Sequence, residues 1–197
     1  IITISECSKK DIVEIMGIPE QKVFVTPLAV GEEFSPAGSA EGKLECRKHF
    51  GLPEDRPLLL YVGGIDARKN VHFLLRVFLE LLSQAPQPKP LLLLAGAYEN
   101  DKEYPELCKK IADFGLKDSV KLMGFVPDQD LPKLYGACTA SLFPSLYEGF
   151  GFPVLESMAC GLPVLAADNS SIPEVVGSEI PLLRDKDKAL WVKEILE

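Results

Sequence analysis

The sequence has 197 residues, of which 47% are hydrophobic and 25% charged, a balance typical of a well-cored globular domain. Its 21 basic and 29 acidic residues give a formal net charge of −8, which argues against general binding to nucleic acid or anionic membrane. No apolar run approaches the ~18 residues of a transmembrane helix. Five dispersed cysteines without a C-x-x-C pair indicate free thiols in a reducing cytoplasm, and two histidines are too few for a histidine-based metal cluster.

The beginning of the chain predicts a strand, a helix and a second strand. It opens inside the apolar run Ile1–Ser5, without an initiating methionine, so we expect a fragment of a longer chain. Ser5 or Ser8 is expected to cap a helix that extends through Ile15. A short strand is then expected at Lys22–Val25.

A change of composition follows and predicts a domain boundary. Residues 37–45 are small and polar, as in a solvated linker. We therefore expect residues 1–45 to be the remnant of an N-terminal domain with its hinge and linker. Residues 46–197 are expected to form a second domain with its own core.

From residue 57 onward, continuous apolar runs alternate with helical patterns. The predicted strands are Leu58–Val62, Leu91–Ala95, Val120–Met123, Ala140–Phe143, Val164–Ala166 and Pro181–Leu183. The predicted helices follow a cap at Asn70, span Glu103–Phe114, Asp130–Ala137 and Pro153–Cys160, and start at Asp187, with a turn around Pro173. This alternation predicts an α/β fold, a doubly wound parallel sheet of about six strands with helices on both faces. Such sheets bind ligands at the carboxyl ends of their strands.

Two glutamates frame the densest group of candidate residues, between the fourth of these strands and its helix. Gly149 and Gly151 keep Glu148 in the loop, while Glu156 lies near the first helical turn. Both carboxylates can then face one crevice and accept hydrogen bonds from sugar hydroxyls. The alternative is that Glu148 is a surface loop charge and Glu156 a partner of the helix dipole.

The same segment offers backbone N–H groups beside the positive end of the helix. Pro153 has no N–H, so the donors would come from Phe150, Gly151, Val154 and Leu155.

A second group follows the first of these strands, where Gly63 and Gly64 lead to Arg68, Lys69 and Asn70. Two cations just ahead of a helix N-terminus oppose the helix dipole. A diphosphate between them would neutralise both and accept their hydrogen bonds. The alternative is a pair of solvated loop cations.

The pattern Glu148-x7-Glu156 resembles the motif of the retaining glycosyltransferases of family 4, the "glycosyl transferases group 1". Ser5–Lys9, Leu60–Asn70, Gly124–Val126 and Ala159–Val164 resemble the same family. The resemblance implies the Rossmann-like C-terminal domain of the two-domain GT-B fold, which binds the nucleotide-sugar donor.

The resemblance also implies roles for individual residues. Arg68 and Lys69 would bind the donor diphosphate and stabilise the departing nucleotide, and Glu148 would contact the donor sugar, so these three are the catalytic candidates. Glu156 would bind the ribose. The remaining donor-binding candidates are Gly63, Gly64, Phe125, Val126, Gly149, Phe150, Gly151, Val154 and Leu155. Phe125 and Val126 would read the nucleobase through their backbone, or else form an ordinary turn with an apolar contact. Many family members carry arginine where this chain has Gly64.

The function implied is sugar transfer from a nucleotide-diphosphate sugar to a hydroxyl acceptor with retention of configuration. The resemblance implies no metal and no further cofactor, and no partner besides the donor and an acceptor that the missing N-terminal domain binds. The chain would be inactive alone and cytoplasmic, with peripheral attachment to the inner face of the membrane left open. Alternatives are a nucleotide-sugar-binding module without turnover, or an epimerase or phosphorylase of the same architecture.

Overall fold

The computed structural model describes residues 1–178 and 180–197. The strands within them are β1 Ile2–Thr3, β2 Phe24–Val25, β3 Leu58–Val62, β4 Leu91–Ala95, β5 Val120–Gly124, β6 Ala140–Phe143, β7 Val164–Ala167 and β8 Leu182–Leu183. The helices are α1 Glu6–Glu14, α2 Ala40–His49, α3 Val71–Gln84, α4 Tyr104–Asp113, α5 Leu131–Ala137, α6 Phe152–Ala159, α7 Ile172–Val176 and α8 Lys188–Leu196.

Six strands form one parallel sheet in the order β5-β4-β3-β6-β7-β8. The first strand of this sheet in the chain, β3, lies in the middle of the sheet. The next two strands, β4 and β5, are added on one side of β3, and β6, β7 and β8 are then added on its other side. The connections after β3 and β6 therefore leave towards opposite faces, which opens a crevice at the carboxyl ends of these two strands. The predicted α/β class, the parallel sheet and the number of strands are confirmed.

Each face of the sheet has its own hydrophobic core, because side chains alternate along a strand. On β3, Leu59 and Tyr61 face a core that includes Trp191 of α8. Leu58 and Leu60 face the opposite core, which also contains side chains of α5. Burial on both faces explains why β3 is apolar throughout, and Tyr61 and Trp191 are both fully buried in the core.

The first 25 residues form a separate two-stranded parallel sheet and one helix. β1 pairs with β2, with Ile2 opposite Phe24. Ser5 is the cap of α1, and its Oγ accepts a hydrogen bond from the Ser8 N–H at 3.0 Å. This confirms one of the two predicted caps.

The predicted linker at residues 37–45 is wrong, because most of it belongs to helix α2. Ser39 caps this helix by accepting a hydrogen bond from the Gly42 N–H at 3.1 Å. The buried side chain of Arg47 ties the other end to the core, since its guanidinium donates to the carbonyls of Ala137, Pro53, Glu54 and Arg56. A boundary at residue 45 falls within α2. The division of the chain into a remnant and a domain stays a prediction.

Two smaller expectations also differ from the structure. The predicted turn around Pro173 is the short helix α7, which has this proline in its first turn, where a missing N–H is tolerated. Asn70 precedes α3 but does not cap it through its side chain. Its φ is +55°, and its amide donates instead to the Pro144 carbonyl at 3.1 Å.

Two expectations drawn from composition can also be compared with the structure. All five cysteines are free thiols. Among the described residues, no helix combines the length and the apolar character that a bilayer crossing needs.

We expect Arg47→Met to lower the free energy of unfolding by about 2–4 kcal/mol, because four carbonyls would lose the buried side chain that is their shared donor. The measurement is urea denaturation. The matched control is Lys48→Met, on the same helix and 61% exposed, for which a change below about 0.5 kcal/mol is expected. Equal effects of the two substitutions would contradict a role of Arg47 in holding α2.

Candidate functional site

The two candidate groups of the sequence meet in the crevice between β3 and β6. Lys69 follows β3 and Glu148 follows β6, 79 residues later in the chain. The Lys69 Nζ lies 2.7 Å from Oε1 and 3.0 Å from Oε2 of Glu148. Their side chains are only 18% and 16% exposed. A mostly buried ion pair therefore joins the two loops.

The second cation of the group, Arg68, is paired with a different carboxylate. Asp66 accepts hydrogen bonds from the Arg68 backbone N–H at 3.1 Å and from its Nε at 2.9 Å. The Arg68 side chain is 63% exposed. The two adjacent cations thus differ, since Lys69 is enclosed between the loops and Arg68 lies at the rim.

Backbone contacts fix the two loops to each other. The Leu146 N–H donates to the Arg68 carbonyl at 2.7 Å, and the Asn70 side-chain amide donates to the Pro144 carbonyl. The loop after β6 is therefore held in register with the loop after β3 at two points beside the ion pair.

The glycine-rich turn enters α6 through a conformation that requires glycine. Gly151 has φ +106°, and a Cβ there would lie 2.7 Å from Cδ1 of Ile172. Its carbonyl accepts the N–H groups of Val154 and Leu155 at 3.0 and 3.3 Å. Within the described residues, the N–H groups of Phe150 and Gly151 have no hydrogen-bond acceptor.

A serine pair braces the same turn from the loop before α7. The Glu148 N–H donates to Oγ of Ser170 at 2.8 Å. Ser171 is fully buried, and its hydroxyl lies within hydrogen-bond distance of the carbonyls of Glu148 and Phe150. The backbone of the turn is therefore fixed by side chains distant in sequence.

The second glutamate of the motif lies half-buried in the first turns of α6. Burial raises the pKa of the Glu156 carboxyl, while a hydrogen bond from Tyr135 lowers it in part and Asp128 raises it further. The Tyr135 hydroxyl donates to Oε2 of Glu156 at 2.7 Å. Oε2 is thereby oriented by the protein, and Oε1 has no hydrogen bond within the described residues.

The remaining candidate residues line the carboxyl ends of β3 and β5. The Gly63 N–H donates to the Ala95 carbonyl, and the Gly63 carbonyl lies 2.0 Å from where a Cβ on Gly96 would be. Gly64 accepts a hydrogen bond from the Tyr61 hydroxyl at 2.6 Å. At the end of β5, Phe125 is 65% exposed, whereas Val126 is buried in the core.

The sequence therefore singled out residues that the structure brings together in the crevice, but not the side chains that contact them. Asp66, Tyr135, Ser170 and Ser171 were not singled out. Each acts through a contact with a candidate residue, and three of the four lie more than 20 residues away from it in the chain. Only the Asp66 contact, two residues from Arg68, had a local signal, as a carboxylate just before a cation.

One group of potential metal ligands lies among the described residues. His72, Glu103 and Glu106 place their ligand atoms within 4.8 Å of one another. Burial lowers the pKa of His72, and Lys110 lowers it further. Glu106 is already paired with Lys110 at 2.8 Å, so we assign no metal to this group.

The chain is similar to a known protein family and to several curated proteins. The sequence model of the family described as "Glycosyl transferases group 1" matches residues 43–196. O-antigen chain mannosyltransferase B of Escherichia coli is 33% identical over 180 residues, which are 90% of this chain and 45% of the relative. Serotype-specific mannosyltransferase WbdA of Escherichia coli is 34% identical over 190 residues, 95% of this chain and 23% of the relative. The chain thus spans less than half the length of either relative.

Solved structures share the fold over the whole chain. Anabaena HepE in complex with UDP-glucose has a TM-score of 0.80 and 25% identity, and the match covers 100% of this chain and 53% of that one. Sucrose-phosphate synthase from Thermosynechococcus elongatus has a TM-score of 0.82 and 24% identity, with 98% of this chain and 47% of that one covered. The second likeness supports the Rossmann-like GT-B fold alone.

The family match covers most of the chain and includes the loops after β3 and β6 that form the site. The chain belongs to the glycosyl transferases group 1 family.

Proposed function

We propose that this chain is the donor-binding domain of a retaining glycosyltransferase, which moves a sugar from a nucleotide-diphosphate sugar to a hydroxyl acceptor. The observation that carries the proposal is the ion pair between Lys69 and Glu148 at the switch point of the sheet. It brings a cation suited to a diphosphate next to a carboxylate suited to sugar hydroxyls. The acceptor would be bound by a domain outside this chain.

The diphosphate of the donor would lie between the two loops. Lys69 offers a cation that is enclosed between the loops and largely removed from water. Arg68 offers a second cation, which is exposed at the rim. The free N–H groups of Phe150 and Gly151 lie at the N-terminal end of α6, where anions are favoured. These groups supply the positive potential that a diphosphate needs, so we propose donor binding without a metal ion.

The two carboxylates divide the rest of the donor between them. Glu148 shares its loop with the amides and would accept hydrogen bonds from the sugar. Glu156 is held at one oxygen by Tyr135 and would accept hydrogen bonds from the ribose hydroxyls with the other. Phe125 and Val126, at the end of β5, would contact the nucleobase.

Transfer requires that the bond between the sugar carbon and the diphosphate oxygen break. The electron pair stays with the diphosphate, so its negative charge increases in the transition state. A cation in a fixed position stabilises this charge more than that of the bound donor, which accelerates the step.

Donor binding is the first test. HepE was solved with UDP-glucose, and the two relatives above are named mannosyltransferases, so the panel contains UDP-glucose, GDP-mannose and their free diphosphates. Calorimetric titration of the folded chain is expected to show binding of at least one pair. Absence of binding across the panel, with the fold confirmed by circular dichroism, would overturn the proposal.

We expect Glu156→Gln to weaken binding of the free nucleoside diphosphate about tenfold, because a neutral amide is a weaker acceptor for the ribose hydroxyls than a carboxylate.

The same Glu156→Gln variant should melt at a higher temperature than the wild type at pH 7. Burial raises the pKa of Glu156 in the folded chain. Ionising this carboxyl therefore lowers the free energy of unfolding, and the loss increases as the pH rises through that pKa. The gain should disappear near pH 4, where the carboxyl is protonated. Titration calorimetry and thermal melts at both pH values measure the two effects. A lower melting temperature at pH 7 with unchanged affinity would contradict the assignment.

We expect Lys69→Ala to lower kcat of the full-length enzyme by roughly 10²–10³, since a group that stabilises transition-state charge is lost. The measurement is steady-state kinetics. Lys109→Ala removes a lysine that is 74% exposed and should leave both kinetic constants unchanged. An unchanged kcat with a raised KM would show that Lys69 only binds the donor.

We expect Glu148→Gln to separate the two parts of the donor. Glutamine releases Lys69 from its ion pair, so the free nucleoside diphosphate should bind as tightly as to the wild type or more tightly. In the wild type, the sugar part is expected to add affinity beyond that of the free nucleoside diphosphate. This added affinity should be smaller in the variant, because the sugar hydroxyls lose a charged acceptor. The ratio of the two dissociation constants is the readout. An unchanged ratio would rule out contact between Glu148 and the sugar.

A further inference from the structure

One buried hydroxyl holds two peptide groups of the glycine-rich turn. Oγ of Ser171 lies 3.0 Å from the carbonyl oxygen of Glu148 and 2.9 Å from that of Phe150. Ser171 is fully buried. The carbonyls on either side of Gly149 are thus directed at one side chain.

Two further hydroxyls, from the beginning of the chain, hold the peptide group between them. Oγ of Ser5 donates to the Gly149 carbonyl at 2.7 Å, and Oγ of Ser8 lies 3.2 Å from the same oxygen. Ser5 is 2% exposed. Helix α1 is itself fixed in place, because the Glu174 carboxylate accepts the N–H groups of its first two residues at 2.7 and 2.8 Å.

The geometry of the peptide group turns these carbonyl contacts into control of the amides. In a planar trans peptide, the C=O and the N–H point in opposite directions. Ser5 and Ser8 therefore fix the direction of the Phe150 N–H. Ser171, whose single hydroxyl proton is shared between two carbonyls, fixes those of Gly149 and Gly151. Within the described part of the chain, none of these three N–H groups has an acceptor. Successive free N–H groups in a turn form a concave site for an anion.

We propose that Ser5, Ser8 and Ser171 are positioning residues that aim the three amides of the turn at the diphosphate of the donor. The inference rests on the proposed function and deepens it, because it gives helix α1 a part in the donor site. Amides whose direction is already fixed can bind a growing negative charge without reorganising, which makes each hydrogen bond more effective. The serines do not touch the ligand, and each acts through one peptide plane.

The test compares two sets of serine variants by binding and by amide NMR. Ser5→Ala/Ser8→Ala should bind UDP or GDP, whichever the wild-type chain binds, about tenfold more weakly, while the free nucleoside binds as before. On addition of the diphosphate, this variant should lose the shift of the Phe150 amide and keep those of Gly149 and Gly151. Ser171→Ala should give the reverse pattern. The control is Ser83→Ala, which removes a hydroxyl that donates to the Glu80 carbonyl within α3.

A second pair of variants keeps the test independent of folding. Ser5→Asn and Ser5→Asp are nearly the same size, and both can cap α1, but only asparagine can donate to the Gly149 carbonyl. Asparagine should therefore retain more diphosphate affinity than aspartate, and equal affinities would overturn the inference. Unchanged affinity and unchanged amide shifts in all the alanine variants would overturn it too, while leaving the proposed function intact. Failure of the folded wild-type chain to bind either diphosphate would overturn the proposed function, and this inference with it.

Discussion

The ion pair between Lys69 and Glu148 is the contact on which the site depends. The order of the sheet places β3 beside β6 and sends their connections to opposite faces, so the loops after these strands are neighbours without being close in sequence. A cation from one and a carboxylate from the other neutralise each other in the crevice. Leaving either charge enclosed alone would be costly, so the pair also keeps the crevice stable in the absence of an anion. A diphosphate that displaces Glu148 from Lys69 would replace one set of anionic oxygens by another.

The loops around this pair are held mainly through their backbone. Asn70 and the Ser170–Ser171 pair direct their polar groups at backbone groups of residues 144–150, and none of these contacts involves the side chains of the motif. This division suits a site for a charged substrate, because the backbone supplies fixed dipoles and the side chains supply charge. The contacts therefore hold the backbone of the turn in place, and it is there that the direction of the N–H groups matters most for binding an anion.

The sequence predicted the parts of the fold that depend on local pattern. Strands β3 and β4 were predicted to the residue, since burial on both faces leaves an uninterrupted apolar run. Helix α2 was missed because its composition is that of a loop, and no local pattern reveals the contacts of the Arg47 side chain with the carbonyls of residues 53, 54, 56 and 137. The convergence of Lys69 and Glu148 could be expected from the parallel sheet alone. The contacts of Tyr135 with Glu156 and of Ser5 with Gly149 could not, because they join residues that no periodicity relates.

Burial of the Glu156 carboxyl has a cost in stability that ligand binding would offset. Burial raises the pKa of its carboxyl above the ordinary value of 4.5, so the folded chain holds the proton more tightly than the unfolded chain does. The contribution of this group to stability is greatest below that ordinary value and decreases as the pH rises through the raised pKa. The ionised carboxylate therefore destabilises the folded chain, and the hydrogen bond from Tyr135 offsets only part of this. Ligand hydroxyls that donate to the free oxygen would offset more of this cost of burying the ionised carboxylate. Ligand binding would then stabilise the folded chain, and the same free energy would contribute to the affinity for the ligand.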